Sequence, residues 1–145
     1  MTVIAAIDNR NGMLFNGRRQ SKDEELRKRV LALAREHLLW VNEYSAKQFR
    51  EESEILTVNN AFLELAGEED FCFAETEPLL PYLDKIDRLI LYRWNRDYPG
   101  DSFLDLPYED WEMVSFCEFV GKSHEKITEE IYEVRRSLCT VPQKR

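Results

Sequence analysis

Short apolar runs rich in β-branched residues alternate with helix-forming segments along most of this chain. Residues 2–8 and 88–94 have the composition of buried strands bounded by polar and turn-forming residues. Four further strands are predicted in the same way, at residues 38–41, 54–58, 71–74 and 111–120. Helices separate the early strands, whereas loops join the late ones. This order predicts a three-layer α/β/α domain with a mixed, mostly parallel sheet, an antiparallel edge and helices on both faces.

The segment after the first predicted strand is expected to be a loop followed by a helix. Residues 9–20 carry the turn signals Asn11-Gly12 and Asn16-Gly17, which favour a loop. Ser21 and Glu24 have the spacing of a capping box, so Ser21 is predicted to begin a helix of about four turns. Apolar residues recur behind it at helical spacing: Leu26, Val30, Leu33 and Ala34.

Shorter helices are predicted within residues 45–49, from Asn59 or Asn60 to Ala66, and over a run that ends near residue 83. Residues 95–110 are predicted to be a surface loop, and residues 122–138 fit either a helix or a strand. We expect one domain over residues 1–140 and a flexible tail at 141–145.

The composition excludes several classes of protein. A formal net charge of −8 argues against general nucleic-acid binding, because phosphate would be repelled. Arg10, Arg18 and Arg19 nevertheless make the first loop locally basic and leave a local anion or nucleic-acid contact as a minor hypothesis. The sequence has no apolar run near the roughly 18 residues that a membrane helix needs. It also has no basic segment before the first apolar run, so we expect a cytoplasmic protein.

Neither metal binding nor serine hydrolysis is predicted. The sequence has two histidines, His37 and His124, and three widely spaced cysteines without metal-ligand spacing, so no metal is expected. Ser123, His124 and Glu125 are the residue types of a catalytic triad, but sequence neighbours seldom point at one another productively. A G-x-S-x-G motif is also missing from the sequence.

Several motifs together resemble the dihydrofolate reductase family over about residues 2–120. They are Ile4-Ala5-Ala6, Asn11-Gly12-Met13, Asn16-Gly17, the segment 87–93, Gly100-Asp101-Ser102-Phe103 and Trp111. The resemblance implies the fold of that family, a ligand crevice beside the sheet, and reduction of a pterin by NADPH. An acidic residue of the first helix holds the pterin in the family and assists its protonation, which makes Asp23 the implied catalytic residue. The implied ligand-binding residues are Ala6, Asp23, Tyr44 and Tyr92.

The cofactor motifs of the family are not retained. Glu43 stands near the position of a phosphate-binding arginine, and Ala74-Glu75 replaces a Gly-Gly pair that lets the backbone approach the diphosphate. An unpaired carboxylate about 5 Å from a phosphate opposes it by about 3 kcal/mol at an effective dielectric constant near 20. No cofactor is therefore predicted, and NADPH is expected only if the protein is a divergent reductase.

The leading hypothesis is a dihydrofolate-reductase-like protein without reductase activity, which binds a small molecule or a protein partner. The alternative is a divergent NADPH-dependent reductase of a pterin or related heterocycle, with Asp23 as its acid. A crevice that remains open between residues 9–20 and 45–49 would favour a small-molecule ligand. A crevice filled by side chains would favour a protein partner. The sequence leaves the oligomeric state open.

Overall fold

The computed structural model describes residues 1–135, apart from the side chains of residues 50–53, and it contains two β-sheets. The strands of the large sheet are β1 (Thr2–Ile7), β4 (Leu39–Val41), β5 (Leu56–Val58), β6 (Phe71–Phe73), β7 (Arg88–Arg93), β9 (Glu112–Phe119) and β10 (Ile127–Glu133). The strands of the small sheet are β2 (Gly12–Phe15), β3 (Arg18–Arg19) and β8 (Ser102–Phe103).

The large sheet has the order β5-β4-β6-β1-β7-β10-β9. The first five strands in this order pair in parallel, and β10 pairs antiparallel with both β7 and β9. Val3, Ile4 and Ala5 of the central strand β1 are all 0% exposed, because both faces of the sheet are covered. The predicted mixed and mostly parallel sheet with an antiparallel edge is confirmed.

Helical segments cover both faces of this sheet and form the outer layers of the fold. On one face, Leu26 and Val30 of helix α1 (Glu24–Leu33) pack in a core with Ile4 and Ile90. Helix α2 (Glu43–Ala46) continues into a 3-10 segment, Lys47–Ile55, whose Phe49 joins the same core. The opposite face is covered by helix α3 (Phe62–Leu65) and the 3-10 segment Leu80–Lys85. None of the helices within residues 1–135 is long and apolar enough to cross a bilayer.

The first helix begins two residues later than the sequence predicts. Asp23, with φ −153° and ψ 133°, is its N-cap, and its carboxylate accepts a hydrogen bond from the Glu25 N–H at 2.9 Å. The Ser21 hydroxyl instead contacts His124, a partner about a hundred residues away in sequence. The prediction that Ser21 caps this helix is therefore wrong, and the helix has 10 residues rather than four full turns.

The two predicted loops also contain short strands. Asn16 and Gly17 have φ values of 53° and 75°, as a type I′ hairpin turn requires, and they connect β2 to β3 within the segment 9–20. The segment 95–110 supplies β8, which pairs with β2. Predicting these segments as uninterrupted loops was wrong, because each strand is too short to give a clear alternating pattern.

The ambiguous segment 122–138 contains a strand, β10, as far as it is described. Glu129 and Glu130 of this strand are 2% and 7% exposed, and each is paired with an arginine. Buried glutamates obscure the apolar pattern of an interior strand, which explains the ambiguity. The end of that segment and the predicted tail at 141–145 lie outside the described residues.

Candidate functional site

Arg19 and Glu75 connect the small sheet to the carboxyl end of the large one. Arg19, from β3, donates from its Nε and Nη2 to the two carboxylate oxygens of Glu75 at 2.8 and 2.9 Å. Its guanidinium lies 4.3 Å from the centre of the Tyr44 ring, and its backbone N–H donates to the Tyr44 hydroxyl at 2.9 Å. The β2–β3 hairpin is thereby fixed against α2.

Glu75 is the centre of this cluster. Its carboxylate also accepts hydrogen bonds from the Ser45 hydroxyl at 2.7 Å and from Gln48 Nε2 at 2.9 Å. The side chains of Arg19 and Glu75 are 18% and 11% exposed. Burial alone would lower the pKa of the Arg19 guanidinium, but the Glu75 carboxylate outweighs burial and raises that pKa. The space between the hairpin and α2 is thus occupied by a paired arginine and glutamate.

Side chains of the protein itself satisfy the nearby backbone N–H groups. Asn42 caps α2 by accepting from the Ser45 N–H at 2.7 Å, and Asn60 accepts from the Glu43 N–H at 2.9 Å. The Glu43 side chain is exposed. The Asp105 carboxylate accepts from the N–H groups of two successive residues, Leu79 and Leu80, at 3.1 and 3.0 Å. Together with Glu75, these contacts do not fit the diphosphate of a dinucleotide, which needs free N–H groups and cations.

Asp23 lies in a different network, at the start of α1. Its carboxylate accepts hydrogen bonds from the backbone N–H groups of Lys122 and Ser123 at 3.0 and 2.8 Å, and it contacts His124 Nδ1 at 3.0 Å. Burial by itself raises the pKa of this carboxyl. The His124 contact and the backbone N–H groups outweigh burial and hold the pKa well below its usual range. Asp23 is therefore an ionised carboxylate whose acceptor positions are in use.

His124 connects Asp23 to two hydroxyl groups. Its Nε2 lies 3.1 Å from Ser21 Oγ and 3.0 Å from the Tyr98 hydroxyl. The imidazole is stacked on Trp94, with 4.5 Å between the ring centroids. A Cβ atom added at Gly121 would come within 2.6 Å of an Asp23 carboxylate oxygen, so the turn that carries His124 can pack this closely only with glycine at that position.

Ala6 and Tyr92 are register partners on the adjacent strands β1 and β7. Tyr92 is 0% exposed, and its hydroxyl donates to Glu129 at 2.8 Å. The same glutamate accepts from Arg29 Nε at 2.6 Å. Tyr92 is therefore a core residue.

The four residues implied as ligand-binding thus fall into separate groups. Ala6 and Tyr92 are neighbours, Asp23 joins the His124 network, and Tyr44 joins the Arg19–Glu75 cluster. Their roles in ligand binding stay predictions, as does catalysis by Asp23.

Sequence reasoning missed the grouping of Ser21 and Tyr98 with His124. These residues come from three distant segments, so local spacing carries no signal for them. The sequence also indicated Arg19 and Glu75 individually, but it did not indicate that their side chains form an ion pair. Among residues 1–135, no group of three or more His, Cys, Asp or Glu side chains is arranged to hold a metal ion.

The seven-stranded sheet, its antiparallel edge and the helices on its two faces define a dihydrofolate-reductase-like fold. A solved structure, dihydrofolate reductase from Enterococcus faecalis complexed with NADP(H) and RAB-propyl, is similar to this chain with a TM-score of 0.65. The similarity covers 91% of this chain and 94% of that one, at 13% sequence identity. The predicted resemblance and fold class are thereby confirmed, at an identity that shows the fold alone. No protein-family model and no curated protein matches the sequence.

Proposed function

We propose that this protein is not an NADPH-dependent reductase and that it acts by binding a protein partner. The observation that carries the proposal is the Arg19–Glu75 pair, with Arg19 donating to both carboxylate oxygens at 2.8 and 2.9 Å. Glu75 follows the strand after which the reductase family has its glycine pair. A dinucleotide would have to break this pair in order to place its diphosphate there.

The energetic cost of breaking the pair is a substantial fraction of the binding free energy of a micromolar cofactor. Removing one partner of a buried ion pair costs about 3–5 kcal/mol, because a charge is left uncompensated. Micromolar binding corresponds to about −8 kcal/mol in total. A loss of 3 kcal/mol therefore weakens a micromolar site by roughly 10²-fold, to a Kd of about 0.1 mM.

The state of Asp23 supports the same proposal. A general acid has to carry a proton near neutral pH. The lowered pKa of Asp23 keeps it ionised there, and it already accepts three backbone N–H groups, those of Glu25, Lys122 and Ser123. The divergent-reductase alternative is favoured by the solved reductase of similar fold, which was complexed with NADP(H).

The filled crevice favours a protein partner over a small molecule, and β9 is the surface best suited to one. This strand is the last in the described sheet, and Met113, Val114 and Phe116 are 44%, 44% and 57% exposed. An exposed apolar edge strand is a template for adding another strand. A second copy of the chain fits it, because antiparallel pairing centred between Ser115 and Phe116 places no glutamate opposite another glutamate.

Titration with NADPH tests the first part of the proposal. Trp40, Trp94 and Trp111 report binding through fluorescence quenching, and a nicotinamide-dependent reductase serves as positive control. We expect no saturable quenching at micromolar cofactor. Micromolar binding would overturn the proposal. If oxidation of NADPH then fell by orders of magnitude in Asp23→Asn, the reductase alternative would be supported.

Sedimentation velocity over a concentration series tests the second part. We expect dimers that dissociate when Val114 and Phe116 are both changed to lysine. Leu80→Lys is the matched control, since Leu80 is also exposed and apolar (50%) but lies on a 3-10 segment. A wild-type protein that stays monomeric at 100 μM, or a double lysine variant that still dimerises, would refute self-association through β9.

A further inference from the structure

We propose that Ser21, His124 and Asp23 form a nucleophilic acyl-transfer site that hydrolyses small carboxylic esters, with Tyr98 assisting. This inference goes beyond the proposed partner binding and depends on different residues. The contacts run in series: Asp23 Oδ2 lies 3.0 Å from His124 Nδ1, and His124 Nε2 lies 3.1 Å from Ser21 Oγ. This is the connectivity of a serine, histidine and aspartate triad.

The side chains of Asp23 and His124 are held in place and shielded from water. The side chains of His124 and Asp23 are 2% and 0% exposed. In the neutral imidazole, Asp23 accepts the Nδ1 proton of His124, and Nε2 is then the acceptor facing the hydroxyls. Trp94 holds the imidazole by stacking on it, and Asp23 is held in turn by the N–H groups of Lys122 and Ser123. Asp23 is thus a positioning residue for the histidine base.

The hydroxyl groups of Ser21 and Tyr98 are more accessible to solvent than the side chains of His124 and Asp23. Ser21 and Tyr98 are both partly exposed, so a substrate approaching from solvent meets these hydroxyls before the imidazole. The Tyr98 hydroxyl lies 3.4 Å from Ser21 Oγ, with donor geometry toward it. A tyrosine hydroxyl beside the nucleophile is a suitable donor for the oxyanion that forms on an attacked carbonyl.

Capping of helix α1 by Asp23 does not require the contacts that link Asp23 to His124 and the two hydroxyl groups. An N-cap carboxylate needs only the backbone N–H groups of its own helix. Here the same carboxylate also orients a buried histidine whose other nitrogen faces two hydroxyls from distant segments. A nucleophile, a base that contacts it and a group that orients the base are the structural signature of covalent catalysis.

The reaction proceeds in two balanced steps. Ser21 Oγ attacks the ester carbonyl while its proton moves to His124 Nε2, and the Tyr98 hydroxyl donates to the oxyanion. The carbon–oxygen bond to the alcohol breaks, and the alcohol leaves with the proton from His124. Water then attacks the acyl-serine, gives one proton to His124, and releases the carboxylic acid. Ser21 recovers its proton from His124, so no cofactor or oxidant is required.

Covalent labelling with diisopropyl fluorophosphate tests the site in the full-length protein. The reagent phosphorylates an activated serine with loss of fluoride, and intact-mass spectrometry followed by peptide mapping locates the adduct. We expect one adduct, at Ser21, and none in Ser21→Ala. Ser115→Ala, which removes an exposed serine in β9, should label as the wild type does.

Two further variants separate a reactive site from a structural one. We expect His124→Gln to slow labelling by about 10³-fold, because the base is lost. Tyr98→Phe should slow hydrolysis of p-nitrophenyl acetate by about 10²-fold while the circular dichroism spectrum stays unchanged. Absence of an adduct in folded wild-type protein, an adduct that maps elsewhere, or equal labelling of folded His124→Gln would overturn the proposal.

Discussion

Replacing Glu75 by glutamine is expected to destabilise the protein strongly, although the side chain keeps its shape. Four donors meet this carboxylate: two from Arg19, one from Ser45 and one from Gln48. A glutamine amide would turn two donors of its own toward these groups, and the partly buried guanidinium of Arg19 would lose its counter-charge. The loss is therefore electrostatic, with little change in packing.

The magnitude follows from the burial of the pair. A fully buried ion pair costs about 3–5 kcal/mol to break by removing one partner. Because the two side chains keep 18% and 11% exposure, we expect the lower end, about 3 kcal/mol. In a domain of this size each kcal/mol lowers the melting temperature by about 2–4 °C, so the expected shift is roughly 6–12 °C.

Urea denaturation followed by tryptophan fluorescence measures this free energy of unfolding. Glu43→Gln is the matched control, because that side chain is exposed and should change stability by less than about 0.5 kcal/mol. The double variant Arg19→Met/Glu75→Leu removes both charges and is expected to recover at least about half of the loss. The reasoning is refuted if Glu75→Gln costs no more than Glu43→Gln.

Two other predictions concern groups with shifted pKa values. The folded pKa of Asp23 lies below its ordinary value of 3.8, so its stabilisation is present above pH 4 and is lost as the pH falls further. Asp23→Asn should lower the free energy of unfolding by about 2 kcal/mol at pH 7. The difference in this free energy between the variant and the wild type should narrow below about pH 4 in acid-denaturation curves, and a constant difference would contradict this. Burial raises the pKa of the Cys72 thiol to about 12, so native protein at pH 8 should show no iodoacetamide adduct at Cys72 by peptide mapping. Modification of Cys72 as fast as the half-buried Cys117 would show that this thiol is not shielded.

The central strands of the fold could be predicted because a strand that is buried on both faces is apolar along its whole length. Strands such as β1 and β7 are buried on both faces, so continuous apolar runs identify them without knowledge of their partners. β10 does not follow that rule, since its buried Glu129 and Glu130 are paired with arginines on other elements. Its conformation depends on tertiary ion pairs, which a local pattern does not contain.

The candidate site was harder to predict for the same reason. Glu75 was recognised from the sequence as the wrong charge for a phosphate, and the structure adds that Arg19 neutralises it. His124 was considered only beside its sequence neighbours Ser123 and Glu125. Its imidazole nitrogens also contact residues about a hundred positions earlier in the chain, Ser21 and Asp23. Contacts of that sequence separation follow from the topology of the fold.

The placement of β10 between β7 and β9 has a consequence for how the chain is made. β9 leaves the ribosome first, yet its only partner within the described sheet is β10, which is synthesised later. Until then the nascent protein exposes the edge of β7 that β10 will cover, and the apolar strand β9 has no partner in the sheet. The sheet can therefore be completed only after β10 has been synthesised. A chain truncated before β10 would leave β9 unpaired and exposed to solvent.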